Sequence, residues 1–171
     1  LAAAASGSNR GSGSGPGALT DFAAKAEAVL LKNTSTATTS EINYLKNALL
    51  NNDATAFPHI VSIAKAYRDS AVGLAVLPVP EELVVEYLTL VNAMMRESQI
   101  AGDFARADTD PLATMLALQQ YPQAMQSLGA AFINIGEIYK TAGIVLPAGA
   151  PGASFVNLIQ DITNEQAAKK P

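Results

Sequence analysis

Few residues in this chain could do chemistry, and their spacing decides what each is worth. His59 is the single histidine and stands beside Pro58. General acid–base work needs a carboxylate or hydroxyl held against the ring, and helical spacing offers only Thr55, four residues back. The position reads as a partly exposed helix start. Asp103, Asp108 and Asp110 crowd one short run and invite a calcium reading, but the run lacks the ligand grammar and central glycine of an EF-hand. Asp110, directly before Pro111, is better explained as a helix cap, with Asp108 beside it. Glu82 and Glu86 share a helix face near Glu81 with no opposing acid or base, which reads as a solvated helix start at the favourable end of the dipole.

Other signals are compositional. Gly11 to Gly17 resembles a phosphate loop only in glycine content, because no Lys-Ser or Lys-Thr follows it and no strand precedes it. Asn33-Thr34-Ser35 matches the N-glycosylation triplet, which implies exposure more than modification. Met94, Met95, Met115 and Met125 are interleaved with Tyr87, Tyr121, Phe132 and Tyr139 and read as core, or core plus an oligomer interface. A haem would need a second ligand near a methionine, which a lone histidine supplies poorly. With no cysteine there is no disulfide, thiolate metal site or thiol nucleophile. The sequence therefore points to no catalytic residue, no metal site and no cofactor, and to a chain that is not an enzyme.

The elements that position these residues are helical. Thr20 is placed to cap a helix over residues 21–32, with Phe22, Ala26, Val29 and Leu30 on one face. Thr38 and Glu41 have capping-box spacing before Ile42, Leu45, Leu49 and Leu50. Asp53 or Thr55 opens a third helix that tolerates Pro58 in its first turn and carries Ile60, Ile63, Tyr67, Ala71 and Leu74. Two prolines, Pro78 and Pro80, stop it, and Pro80 starts a fourth helix of about seven turns through Leu83, Val84, Tyr87, Leu88, Val91, Met94, Met95, Ile100 and Phe104. Asp110 and Pro111 open a fifth, bent at Pro122 and closed by Gly143. After a loop to Gly152, Ser154 caps a sixth with Phe155, Leu158, Ile159 and Ile162. No stretch alternates long enough for a strand. The expectation is an all-α bundle of about six helices, two long antiparallel ones at its centre, over residues 18–171, behind an extended Gly/Ser-rich tail over residues 1–17.

At 171 residues the chain suits one domain, since this size buries roughly 70% of the unfolded surface. A net charge of −4 argues against tracking a phosphate backbone, so nucleic acid is not an expected partner. Charged residues make up 15%, against roughly 25% in ordinary soluble domains, so much of the surface is alanine and small polar residues suited to packing on copies of itself. No run of eighteen apolar residues offers a membrane span. The start Leu1-Ala2-Ala3-Ala4-Ala5-Ser6 has the small residues left by a cleaved export signal. The Gly/Ser tail has nothing of its own to bury, and the expectation is that it lies on a neighbouring subunit through Ala2, Ala3, Ala4, Ala5, Arg10 and Pro16.

A resemblance supports export. Leu77-Pro78-Val79-Pro80-Glu81-Glu82-Leu83, then Tyr87-Leu88-Thr89-Leu90-Val91-Asn92, then Asp110-Pro111-Leu112 through Tyr121 to Gly143-Ile144 and Pro151-Gly152 with Phe155 resembles the exported helical proteins of Parcubacteria-type candidate-phyla bacteria. Tyr67 fills the tyrosine position of the helix before Val-Pro, and Tyr87 stands where that family often has histidine. The resemblance covers about residues 45–155 and implies an extracellular or cell-surface location and no defined activity. The leading expectation is a non-enzymatic structural subunit that self-assembles into a surface filament or layer. The alternative is a monomeric envelope module that binds a peptide, lipid or partner helix in a groove between helices, with an envelope component or host surface as partner.

Overall fold

Local signals at the ends of the apolar runs set six helices, and the structure, a computed structural model that describes residues 13–168, holds no strand among them. The first helix, α1 (Pro16–Lys32), begins earlier than Thr20 suggests. Pro16 takes the first helical position, where a missing N–H costs nothing, and the Thr20 hydroxyl bonds back to the Pro16 carbonyl at 2.9 Å. Pro16 and Gly17 thus belong to a helix. The Gly13 carbonyl accepts from the Glu81 N–H at 3.2 Å and the Gly15 N–H donates to the Glu82 carboxylate at 2.6 Å, so this stretch is tied to its own chain. Ala2, Ala3, Ala4, Ala5 and Arg10 lie outside the described residues.

Helix α2 (Glu41–Leu50) follows Ser40 and not the expected capping box. Thr38 instead meets the Tyr44 hydroxyl through its N–H at 3.1 Å and its Oγ1 at 3.2 Å. The helix packs on Glu41, Tyr44, Leu45 and Ala48, which turns Leu49 and Leu50 to solvent. In α3 (Ala56–Ala75), Pro58 sits in the first turn, and Ile60, Ile63, Ala71 and Leu74 are buried as their spacing requires. Pro80 is not the first residue of the next helix. It precedes a 3₁₀ turn over Glu81–Leu83, from which α4 (Val84–Phe104) continues.

The seam of α4 is Leu83, Tyr87, Leu90, Met94, Glu97, Ala101 and Phe104, alternating steps of four and three, all buried. Leu88, expected within, is outside the seam and exposed. Helix α5 (Pro111–Thr141) starts as Asp110 predicts, its Oδ1 accepting from the Ala113 N–H at 3.1 Å, runs on through Pro122, and ends before Gly143 with φ of 66°. Contacts between Asp103 and Thr114, Arg96 and Gln120, and Glu86 and Asn134 recede along the two long helices in opposite directions, so α4 and α5 are antiparallel. Among the described residues no helix is long and apolar enough to cross a membrane.

Helix α6 (Ala153–Ala168) is not capped by Ser154. The Glu27 carboxylate of α1 does this, accepting from the Gly152 N–H at 2.5 Å and the Ser154 N–H at 2.9 Å. Gly152 has φ of 88°, and a Cβ there would stand 2.8 Å from the Ala24 backbone nitrogen, so only glycine allows α6 to close on α1.

Burial divides into two cores. One joins α1, the C-terminal half of α3, the N-terminal half of α4, the C-terminal half of α5 and α6, with Phe22, Tyr87, Tyr139 and Phe155 in edge-to-face contacts. The other joins α2, the start of α3, the end of α4 and the start of α5 around Leu45, Ile60, Ile100 and Phe104. Tyr67 lies against both.

Candidate functional site

Where the two cores meet, the seam of α4 carries a glutamate. Glu97 has no exposed surface, and neither carboxylate oxygen has a hydrogen-bond partner. An uncompensated buried charge is among the costliest features a fold can carry, so the group neutralises by holding its proton. Burial first, and then the negative charge of Glu41, push the Glu97 carboxyl up to about 7, against a smaller opposing pull from Arg96.

Glu41 arrives from α2. It occupies the first helical position, where the N-terminal dipole favours a carboxylate, yet it is only 3% exposed and its Oε1 has no partner. Tyr67 of α3 and Tyr121 of α5 complete the convergence. Burial raises both phenols, followed for each by the charges of Glu41 and then Glu97. Four helices thus deliver two acids and two phenols to one locus.

Glu41, Tyr67 and Tyr121 open onto a cleft of about 370 Å³. Its other walls are Ser35, Ala37, Thr39 and Ser40 from the α1–α2 connection, Ile63, Ala66 and Ser70 from α3, Met94 from α4 and Met125 from α5. Glu97 stands behind this wall and acts on the lining groups electrostatically. The connection is held in place by Ser35 Oγ against Ser62 Oγ at 3.1 Å and by the Thr38–Tyr44 bonds. The Ser98 hydroxyl fixes α4 to α3 through the Ala64 carbonyl at 2.8 Å. The arrangement offers negative charge at the base of a mostly apolar, aromatic and thioether wall, which is a binding surface for a group with a positive head and an apolar body.

The residues singled out by type and spacing are elsewhere. His59 is exposed and stacks on Tyr44 with ring centroids 4.7 Å apart. Asp103 pairs with Arg106, Asp110 caps α5, and Asp108 is exposed. Among the described residues no three His, Cys, Asp or Glu side chains gather to hold a metal ion. Glu82 receives the Gly15 N–H and Glu86 the Asn134 amide, so neither forms an acid dyad. The Asn33 amide donates to the Val29 carbonyl at 2.9 Å. Met94 and Met125 line the cleft, Met95 packs on the core, and Met115 is exposed.

The sequence offers Glu41 only as a capping-box partner of Thr38 and gives no sign of its pairing with Glu97, because the two are 56 positions apart and neither has an acidic neighbour at helical spacing. A signal for one of them was present: Glu97 falls in register with the apolar seam, three residues after Met94 and seven before Phe104. A second hollow, of about 430 Å³, lies between α4 and α5 among Thr89, Asn92, Ala93, Gln120, Gln123, Ala124 and Ser127, but its charged member, Arg96, already donates to Gln120. No family model, curated protein or solved structure matches the chain.

Proposed function

We propose that this chain is a non-enzymatic, exported binding module that takes a guest into the cleft between α2, α3, α4 and α5. The observation that carries this reading is the Glu41 carboxylate, nearly fully buried, with a partnerless oxygen at the wall of an open cleft. A buried acid without a partner costs stability, and a guest that supplies the partner recovers that cost on binding. Acid–base catalysis by the pair is disfavoured because Glu97 has no surface through which to reach a substrate. Export, and kinship with the Parcubacteria-type proteins, rest on the short motifs around Val79-Pro80, Asp110-Pro111 and Gly143-Ile144.

The test uses N-phenyl-1-naphthylamine, a neutral apolar probe whose emission rises in a dry site. Emission should rise with the full chain and fall away in Ala66→Trp, which fills the cleft from α3. No rise, or an equal rise in the variant, contradicts the reading.

A second reading, self-assembly, is favoured by one feature. Residues 111–136 carry no charged side chain, and Leu112, Met115, Leu116 and Leu118 of α5 are exposed together on the first two turns. Such a face suits a second copy. Leu112→Glu/Leu116→Glu should convert any concentration-dependent oligomer to a monomer in analytical ultracentrifugation. A wild-type chain that is monomeric at every concentration removes this reading and leaves the first intact.

A further inference from the structure

Three features of the cleft narrow the chemistry of its guest. Its charged lining residue is an acid, Glu41, and a second acid outside the lining, Glu97, is near enough to interact with it electrostatically, so a positive group is called for. The lining acid also lacks a partner at Glu41 Oε1, and an ammonium supplies N–H donors for such an oxygen. The rest of the wall contributes Tyr67 and Tyr121 rings, Met94 and Met125 thioethers and the Ile63 side chain. Aromatic faces and thioethers favour a cation carried on an aliphatic stem, whereas a hydrated metal ion gains nothing from them.

We infer that the Glu41 cleft is a binding site for an ammonium group on an aliphatic stem, the ammonium seated on Glu41 with Glu97 behind it and the stem lying along Tyr67, Tyr121 and Met125. The inference rests on the binding reading above. An ammonium of this kind comes either as a free aliphatic polyamine or as the lysine side chain of a partner protein, and both present the same chemistry to the cleft.

The experiment is isothermal titration of the full chain with hexylammonium and, in parallel, with 1-hexanol, which has the same stem without the charge. Hexylammonium should bind at least about tenfold more tightly than hexanol. Glu41→Gln and Glu97→Gln should each weaken it by about tenfold while leaving the helical circular dichroism unchanged. Gln keeps the shape of Glu and removes the buried charge, so both variants should fold. Spermidine and a blocked lysine tripeptide distinguish the sources, and tighter binding of either over hexylammonium supports the site. Equal binding of hexanol and hexylammonium, with the naphthylamine probe still in the cleft, overturns the ammonium assignment and spares the binding reading. Absence of both signals overturns both. Calcium or zinc bound more tightly than hexylammonium, and lost in Glu41→Gln, overturns the assignment in favour of a metal ion.

Discussion

The two cores treat their acids in opposite ways. At the end built by α1 and α6, the buried Tyr139 hydroxyl donates to the Leu19 carbonyl at 2.7 Å, and the Glu27 carboxylate closes the start of α6. At the end built by α2 and the α4–α5 connection, Glu41 and Glu97 keep three oxygens without a partner beside an open cleft. The first end ties the Tyr139 hydroxyl and the Glu27 carboxylate between helices and leaves the neutral Tyr87 hydroxyl without a partner, whereas the other leaves acids without one. The difference teaches where to look for function in a bundle without motifs. A partnered buried group explains itself by the contact it makes, while an unpartnered one implies something still to come.

The contrast can be broken most severely at the partnered end. Gly152→Ala forces a side chain into the α1 backbone at a positive φ, and should cost at least about 3 kcal/mol, lowering the melting temperature by about 6–12 °C in a thermal scan. A loss below about 1 kcal/mol would mean that α6 is not docked as described.

The same contrast predicts opposite pH dependences. The Glu97 carboxyl, raised from 4.5 to about 7, binds more protons folded than unfolded, so its penalty is absent below about 4.5, grows through the interval and is complete above about 7. Acidification from pH 8 to 5 should therefore stabilise the chain by about 3 kcal/mol in urea unfolding, and Glu97→Gln should flatten that slope. Glu27 behaves in the other sense. Hydrogen bonds from Ser154 and Gly152 hold its carboxyl below the ordinary range, so its contribution is present above the ordinary carboxylate pKa and is lost only as pH falls through the depressed value.

Smaller changes sharpen the comparison. Tyr139→Phe removes the donor to the buried Leu19 carbonyl and should cost about 1–2 kcal/mol at pH 5 and pH 8 alike, in contrast to any change at Glu97. Asp110→Ala removes the α5 cap and should cost about 1 kcal/mol by the same unfolding measurement.

What the sequence disclosed follows the same division between local and distant causes. Asp110-Pro111 and Gly143 mark the ends of α5 because the cap, the first-turn proline and the left-handed glycine all lie within a few residues of the ends. The cap of α6 was not legible, because Glu27 reaches it from 125 positions away, and Ser154 offered a plausible local substitute. Leu88 and Leu49 looked as apolar as their buried neighbours, and only the packing of α4 on α3 and α5, and of α2 on α3, turns them outward. The cleft was hidden for a similar reason. Its acids and phenols come from four helices, and only the register of Glu97 within an apolar seam betrays a part of it. The tail expectation, beyond Gly13 to Gly17, falls outside the described residues.

The central claim is that the chain buries a carboxyl that lacks a partner and awaits one. Its most direct measurement is a carbon-13 NMR titration of the Glu97 side-chain carboxyl, assigned by its absence in Glu97→Gln. The account predicts a midpoint near 7 in the free chain, falling toward the ordinary range when hexylammonium is present. A midpoint near 4.5 in the free chain would show a carboxylate already hydrated or paired, and would contradict it.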